Sequence, residues 1–184
     1  MRQTQRTQSD SIKGRLSVGP WHAEGFAGEV AEIVLRQPGR FDELFECLLS
    51  SDKGISKRAS YALTLVCEQR PDLFQPYKEV LFDELVRQDK WFVRYRLCQI
   101  LPQLKLNSSD ITRAAELFQI LTEDPRIALS VSGLQGLAEL ALLDPSLKDE
   151  VVWLIEQKMR SGTPGLRARG RRLLKRLYGG ERNL

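Results

Sequence analysis

The chain has 184 residues, 42% of them hydrophobic and 28% charged, a composition typical of globular proteins. No apolar run approaches the roughly 18 residues that a membrane helix needs, and residues 1–20 lack the apolar segment of a secretory signal. We therefore expect a cytoplasmic protein that does not bind membranes. The net charge of +4 is uneven, because residues 158–184 carry a net +8 and the rest of the chain a net −4.

Residues 1–20 are polar and rich in Gln, Ser and Thr, without hydrophobic periodicity, which predicts a flexible arm. A single leading helix is predicted over 24–36, and Pro38-Gly39 ends it. Its apolar residues fall on one helical face and are Phe26, Val30, Ile33 and Val34.

From about residue 41 the sequence repeats every 36 or 37 residues, and each unit has the apolar spacing of two amphipathic helices. A helix pair of this kind buries its apolar face against the next pair, so the repeat predicts a stacked array. One apolar column, which we expect to be buried, contains Leu65, Leu101, Leu137 and Leu174. A second contains Phe45, Leu81, Leu117 and Leu154. A third contains Leu49, Leu85 and Leu121, and Lys158 breaks it.

Turn residues divide these repeats into eight predicted helices between residues 41 and 178, and no segment has the alternation of a strand. Gly54 is expected to break the chain in the first turn, and the predicted helix caps are Asp52, Asp89, Asp124 and Asp144. The predicted helices are 41–49, 55–68, 71–87, 90–104, 110–121, one starting at 124, 144–159 and 165–177.

Residues 41–177 resemble HEAT repeats in the length of the helix pairs, in the Pro or Asp at the turns, and in Val93-Arg94 near the start of a leucine-rich second helix. The arginine column departs from the pattern in the third unit, since it reads Arg58, Arg94, Ser130 and Arg167. Lys57 stands where an aliphatic residue is usual. The resemblance implies an all-α fold, a right-handed α-solenoid of about four helix pairs with one leading helix. It also implies a scaffold or adaptor, or a glycosylase as in one branch of bacterial DNA repair.

We predict one helical repeat domain over 21–178 and a flexible tail over 179–184. His22 is the only histidine and no nucleophile, phosphate-loop or metal motif is present, so we expect no catalytic residue, metal or cofactor. An odd set of cysteines lies in apolar helical stretches and is predicted to be reduced core thiols, namely Cys47, Cys67 and Cys98.

The second helices of such arrays line the concave side, and their exposed columns predict a docking track for a protein or peptide. Its candidate residues are Trp91, Tyr95, Arg96, Gln99, Gln103, Gln135, Glu139, Arg169, Arg172 and Arg176. The same columns add Ser60 and Ser132. In the segment 90–96, Trp91, Tyr95 and Arg96 lie off the buried stripe, whereas Trp153 is predicted to belong to the core of its own helix.

The last helix has a leucine face and a basic remainder, which supports two interpretations. It is either a solubilising cap of the array or an anion-binding surface, in which case its further phosphate contacts are Arg167, Arg171 and Lys175. The leading hypothesis is a non-enzymatic interaction module for a protein or peptide, with an acidic partner segment suiting the basic end. The alternatives are a nucleic-acid binding protein and a HEAT-type DNA glycosylase. The sequence does not indicate an oligomeric state.

Overall fold

The computed structural model describes residues 11–87 and 89–179, and every regular element in those residues is helical. Its ten α-helices in this part of the chain are α1 (Ile12–Leu16), α2 (Ala27–Arg36), α3 (Phe41–Leu48), α4 (Lys53–Cys67), α5 (Lys78–Arg87), α6 (Trp91–Ile100), α7 (Ser108–Thr122), α8 (Ile127–Leu143), α9 (Lys148–Ser161) and α10 (Pro164–Gly179). Short 3-10 segments cover Pro38–Arg40, Pro71–Tyr77, Leu101–Gln103 and Pro145–Leu147. The predicted all-α fold is confirmed, and α3 to α10 are the eight helices that the repeat predicts.

Two predicted caps are present. The Asp52 carboxylate accepts a hydrogen bond from the Ile55 amide at 2.8 Å and so begins α4. The Asp144 carboxylate accepts one from the Ser146 amide at 3.0 Å, which begins the 3-10 segment ahead of α9. Such side chains satisfy backbone amides that have no partner within the helix.

Three other turn predictions are wrong. Asp89 does not cap α6, because Lys90 occupies the N-cap position and supplies no side-chain hydrogen bond. Asp124 does not begin α8, because the N-cap of that helix is Arg126. The Asp124 carboxylate does accept a hydrogen bond from the Arg126 amide at 2.8 Å. Gly54 lies inside the first turn of α4 and does not break it.

The chain divides into two compact units, Met1–Leu104 and Lys105–Leu184. In the first unit α4 is the central helix, because it packs against α1, α2, α3 and α6. Its fully buried apolar residues are Ala59, Ala62, Leu63, Val66 and Cys67. An aromatic cluster beside it contains Phe41, Phe45, Phe74 and Tyr77, with neighbouring ring centroids 4.2 to 6.1 Å apart. The prediction of one domain over 21–178 stays a prediction.

Residues 11–20 are not a flexible arm. The short helix α1 packs against α2, α3 and α4, with Ile12 and Leu16 fully buried. Arg58, only 2% exposed, donates to the Leu16 carbonyl at 2.5 Å and to the Pro20 carbonyl at 3.0 Å. The predicted arm is wrong here because two apolar side chains one helical turn apart suffice to dock a polar segment. Residues 1–10 of the predicted arm lie outside the described residues.

In the second unit α8 is the central helix and packs against α7, α9 and α10. It lies very close to α7 at two glycines. A Cβ atom on Gly133 would lie 2.7 Å from the Phe118 carbonyl oxygen, and one on Gly136 would lie 2.7 Å from the Phe118 ring. Phe118 itself is fully buried. A larger side chain at Gly133 therefore requires the backbone of α7 to move, whereas one at Gly136 requires the Phe118 ring to move.

Gly133→Ala and Gly136→Ala are both expected to destabilise the protein by about 1 to 3 kcal/mol through overpacking, less about 1 kcal/mol from the better helix propensity of alanine. They differ in what they meet. Phe118→Ala removes the ring, so it should relieve Gly136→Ala and leave Gly133→Ala, which meets backbone, without relief. Denaturant melts of both double-mutant cycles measure this, and equal coupling of the two glycines with Phe118 would contradict the packing described here.

The leucine column is only half correct. Leu101 and Leu137 are buried, at 0% and 4% exposure, but Leu65 and Leu174 are half-buried. In α4 and α10 the fully or nearly fully buried positions are their neighbours Leu63, Val66, Leu173 and Leu177. Because successive helical residues are about 100° apart, a small rotation of a helix moves burial from one leucine to the next without losing the stripe.

Several individual placements also differ from expectation. Trp153 is 60% exposed and not core, because the buried residues of α9, Val151 and Ile155, lie two positions before and after it and thus on the opposite face. Ser60 and Ser132, predicted to be exposed, are 2% and 3% exposed. In the third column Leu49 is 46% exposed, and in the second column Leu117 and Leu154 are half-buried.

A hydrogen bond between the two helices recurs in all four pairs, and the arginine column supplies its donor in the second, third and fourth pairs. Arg58, the column residue of the first pair, instead donates to the Leu16 and Pro20 carbonyls. In every pair, a side chain near the start of the second helix donates to a carbonyl near the end of the first helix. The four bonds are Ser56 to Leu48 at 2.8 Å, Arg94 to Leu85 at 3.1 Å, Ser130 to Thr122 at 2.7 Å and Arg167 to Gly162 at 3.0 Å. The last carbonyls of a helix have no partner within the helix. Ser130 therefore replaces arginine in the third unit without loss of this contact.

Candidate interaction site

The residues predicted to bind a partner fall in both units. In the first, α6 and the 3-10 segment after it carry Trp91, Tyr95, Arg96, Gln99 and Gln103. In the second, α8 carries Gln135 and Glu139, and α10 carries Arg167, Arg169, Arg171, Arg172, Lys175 and Arg176.

The first unit presents a group of aromatic and cationic side chains, several of which contact one another. We term this set the aromatic–cation patch, and it consists of Trp21, Lys57, Tyr61, Trp91, Tyr95 and Arg96. Lys57 Nζ lies 5.3 Å from the centroid of the Trp21 ring. The Arg96 guanidinium carbon lies 4.7 Å from the Tyr61 ring centroid and 5.2 Å from that of Tyr95. Lys57 and Tyr61 are one turn apart on α4, so these contacts lie beside each other. Trp91 lies one turn before Tyr95 on α6.

The patch is both accessible and held in place. Trp21 and Trp91 are 55% and 37% exposed, and the other four side chains are half-buried. Lys57 Nζ donates to the His22 carbonyl at 2.6 Å, and Arg96 donates to the Gln99 side-chain oxygen at 3.3 Å. The opposite face of α6 is buried as the sequence predicts, through Phe92, Val93, Leu97 and Ile100. Side chains fixed in this way lose little conformational entropy when a partner binds.

Three of the six patch residues, Trp21, Lys57 and Tyr61, were not predicted from the sequence. Tyr61 follows Lys57 by four residues and lies off the fully buried positions of α4, a signal that could have been read from the helical period. Trp21 is 36 residues from Lys57, in a segment with no regular period, and no local pattern indicates their contact.

The basic helix α10 has a mixed character. Its buried face contains Gly170, Leu173 and Leu177. Arg176 forms an ion pair with Glu139 of α8 at 2.5 Å, which joins two predicted site residues and uses one cation for packing. Arg169, Arg171 and Lys175 form no ion pair within the described residues, and α10 contains no acid.

Lys158, which breaks the third column, also has a structural partner. Its ammonium lies 2.8 Å from the Glu123 carboxylate and lowers the pKa of that carboxyl group, chiefly through a hydrogen bond. At this position of the third column, an ion pair between α9 and the end of α7 thus replaces the leucine of the other units.

The three cysteines are free and buried, as predicted. Burial raises the pKa of the Cys47 thiol to about 11 and that of Cys67 to about 12. Both thiols are therefore protonated at neutral pH, and only the thiolate is a good nucleophile. His22 is exposed, with its ring 6.2 Å from that of Trp21.

The repeating helix pairs, their shared hydrogen bond and their apolar columns agree with a comparison to known families, in which a model described as HEAT repeat domain matches residues 22–177. The chain belongs to the HEAT repeat family. No curated protein and no solved structure matches it.

HEAT repeats commonly mediate protein interactions, and the family is generally non-catalytic. In this HEAT repeat chain the structure brings Tyr95 and Arg96 together with Tyr61, and Glu139 together with Arg176. Among the described residues no helix is long and apolar enough to cross a membrane.

Proposed function

We propose that this chain is a non-enzymatic interaction module, or adaptor, that binds a protein or peptide through the exposed face of its second helices. The aromatic–cation patch supports this most strongly. Trp, Tyr and Arg are the residue types that contribute most binding energy at protein interfaces. Here Arg96 of α6 contacts the rings of Tyr61 on α4 and Tyr95 on α6, and Trp91 lies one helical turn before Tyr95.

The chemistry of the patch favours an acidic partner segment. Lys57 and Arg96 are its only charged members, and both are cationic. Aromatic rings beside them offer apolar area at a low entropic cost. A partner that carries Asp or Glu next to an apolar or aromatic side chain would satisfy both features.

Affinity capture from the native host tests the proposal, with nuclease-treated and untreated arms. The test variant combines Trp91→Ala with Arg96→Gln. The control combines Trp153→Ala with Arg160→Gln, the same two changes at exposed positions of α9. A protein partner should be captured in both nuclease arms and by the control.

The test variant should bind that partner at least about 30-fold more weakly, because loss of an interface anchor costs about 2 kcal/mol or more. Equal binding by both variants would refute the patch as the binding surface. Thermal melts of the two variants separate lost binding from lost folding.

A second candidate function is binding of nucleic-acid phosphates by α10, which Arg169, Arg171 and Lys175 favour because no acid neutralises them in the described residues. Their predicted co-contacts are Arg167, Arg172 and Arg176. Arg176 is the weakest of these candidates, since it already pairs with Glu139.

If about six cations contact phosphates, the logarithm of the affinity should fall with the logarithm of salt concentration with a slope of roughly −5 on duplex DNA and roughly −4 on a single strand. Arg171→Glu with Lys175→Glu should abolish this binding. Lys53→Glu with Arg87→Glu changes the net charge equally in the first unit and should not. A titration of fluorescent DNA and RNA at three salt concentrations decides the matter. Binding already lost near 0.15 M salt, where screening acts over about 8 Å, would leave α10 as a cap.

A further inference from the structure

A groove in the second unit lies between α7 and α9, which flank it while α8 provides its floor. Its volume is about 170 Å³. The α7 wall includes Ala115 and Gln119, the α9 wall includes Val151 and Leu154, and Leu137 of α8 lies at the base. No catalytic or phosphate-binding prediction involves these residues.

The interior of the groove is apolar. Leu137 and Val151 are each 4% exposed, and Leu154 is half-buried. Ala115 has only a methyl group where a larger side chain would fill the space. A cavity of about 150 Å³ lined by aliphatic groups holds one benzene-sized molecule. The groove therefore has room for one side chain of about the size of leucine.

The rim of the groove is acidic. Glu116 on α7 and Glu150 on α9 both line it, and both are exposed. In the described part of the chain neither carboxylate forms an ion pair or a hydrogen bond with another residue. Gln119 and Thr112, which complete the polar lining, are neutral. An occupant that carries positive charge on either side of its apolar group would match this rim.

We propose that the groove between α7 and α9 binds a basic segment of a partner protein, which inserts one leucine-sized side chain against Leu137 and places flanking Lys or Arg side chains beside Glu116 and Glu150. Side chains in pockets of this kind anchor peptides, and the flanking charges select them. The site does not depend on the aromatic–cation patch, and it selects the opposite charge.

Amide chemical shifts of the full chain, titrated with synthetic peptides, test the proposal. The probe is Ala-Lys-Ala-Leu-Ala-Lys-Ala, blocked at both ends. One control peptide has Ala in place of Leu, and another has Glu in place of both Lys residues. The probe should shift the amides of Ala115, Gln119, Leu137 and Val151. The Ala control should bind at least about tenfold more weakly, because burial of one leucine side chain gives about 1.5 kcal/mol or more. The Glu control should also bind more weakly, because its carboxylates lie beside those of Glu116 and Glu150.

Two variants sharpen the result. Glu116→Lys with Glu150→Lys should reverse the preference, so that the Glu peptide binds and the Lys peptide does not. Ala115→Leu should fill the groove and weaken binding of the probe by a similar factor. If the Ala115→Leu variant does not fold, the double charge variant still tests the proposal. Absence of shifts at millimolar probe, shifts outside the groove, or binding that ignores the leucine or the sign of charge would each overturn the proposal.

Discussion

Deletion of residues 1–16 is expected to lower the free energy of unfolding by about 2 kcal/mol or more. Ile12 and Leu16 are fully buried, and full burial of each contributes about 1.5 to 3 kcal/mol. The entropy of ordering α1 offsets part of that gain. The deletion also removes the Leu16 carbonyl, one of two acceptors of the buried Arg58 guanidinium.

Denaturant melts at one pH measure the effect. The matched control deletes residues 1–10 alone, so the difference between the two deletions reports residues 11–16. Equal stability of the two deletions would mean that α1 contributes nothing, and that the flexible arm predicted from sequence extends through residue 16.

Phe118→Ala is expected to destabilise the protein by about 3 to 5 kcal/mol. The ring is fully buried between α7 and α8, directly against Gly136. Its removal leaves a cavity that α8 can fill only by moving, and Gly136 has no side chain with which to fill it. The loss should appear as a lower denaturant midpoint with little change in the slope of the transition.

Phe26→Ala removes the same atoms at the N-cap position of α2, where Phe26 is 39% exposed, and is the control for Phe118→Ala. Its cost should be below about 1.5 kcal/mol, since much of that ring remains in contact with water. A cost for Phe118→Ala no larger than that for Phe26→Ala would contradict the close packing of α7 on α8.

The helices could be predicted from sequence because the same apolar spacing and turn residues recur in each of the four repeat units. The cap Asp52 and the buried residues Leu101 and Leu137 follow from local pattern alone. Burial in single cases does not, since it depends on the rotation of each helix. Trp153 stands among apolar residues and is exposed, whereas Ile12 stands among polar residues and is buried.

The candidate site also combines residues that the sequence predicts with residues that it does not. Trp91, Tyr95 and Arg96 share the face of α6 that the helical period leaves outside the core, and the structure places them in the patch. Trp21 joins them through Lys57, a contact between residues far apart in sequence that only the fold creates. The same is true of the groove between α7 and α9, which exists because both helices pack on α8.

Site-specific photocrosslinking tests the proposed protein-binding function most directly. Benzoylphenylalanine in place of Tyr61 places the reactive group within the patch, and the same residue in place of Trp153 places it on an exposed face of α9. After irradiation in extracts of the native host, position 61 should yield a discrete protein adduct that persists after nuclease treatment, and position 153 should not yield that adduct. A nuclease-sensitive adduct at position 61, or the same protein adduct at both positions, would contradict the account.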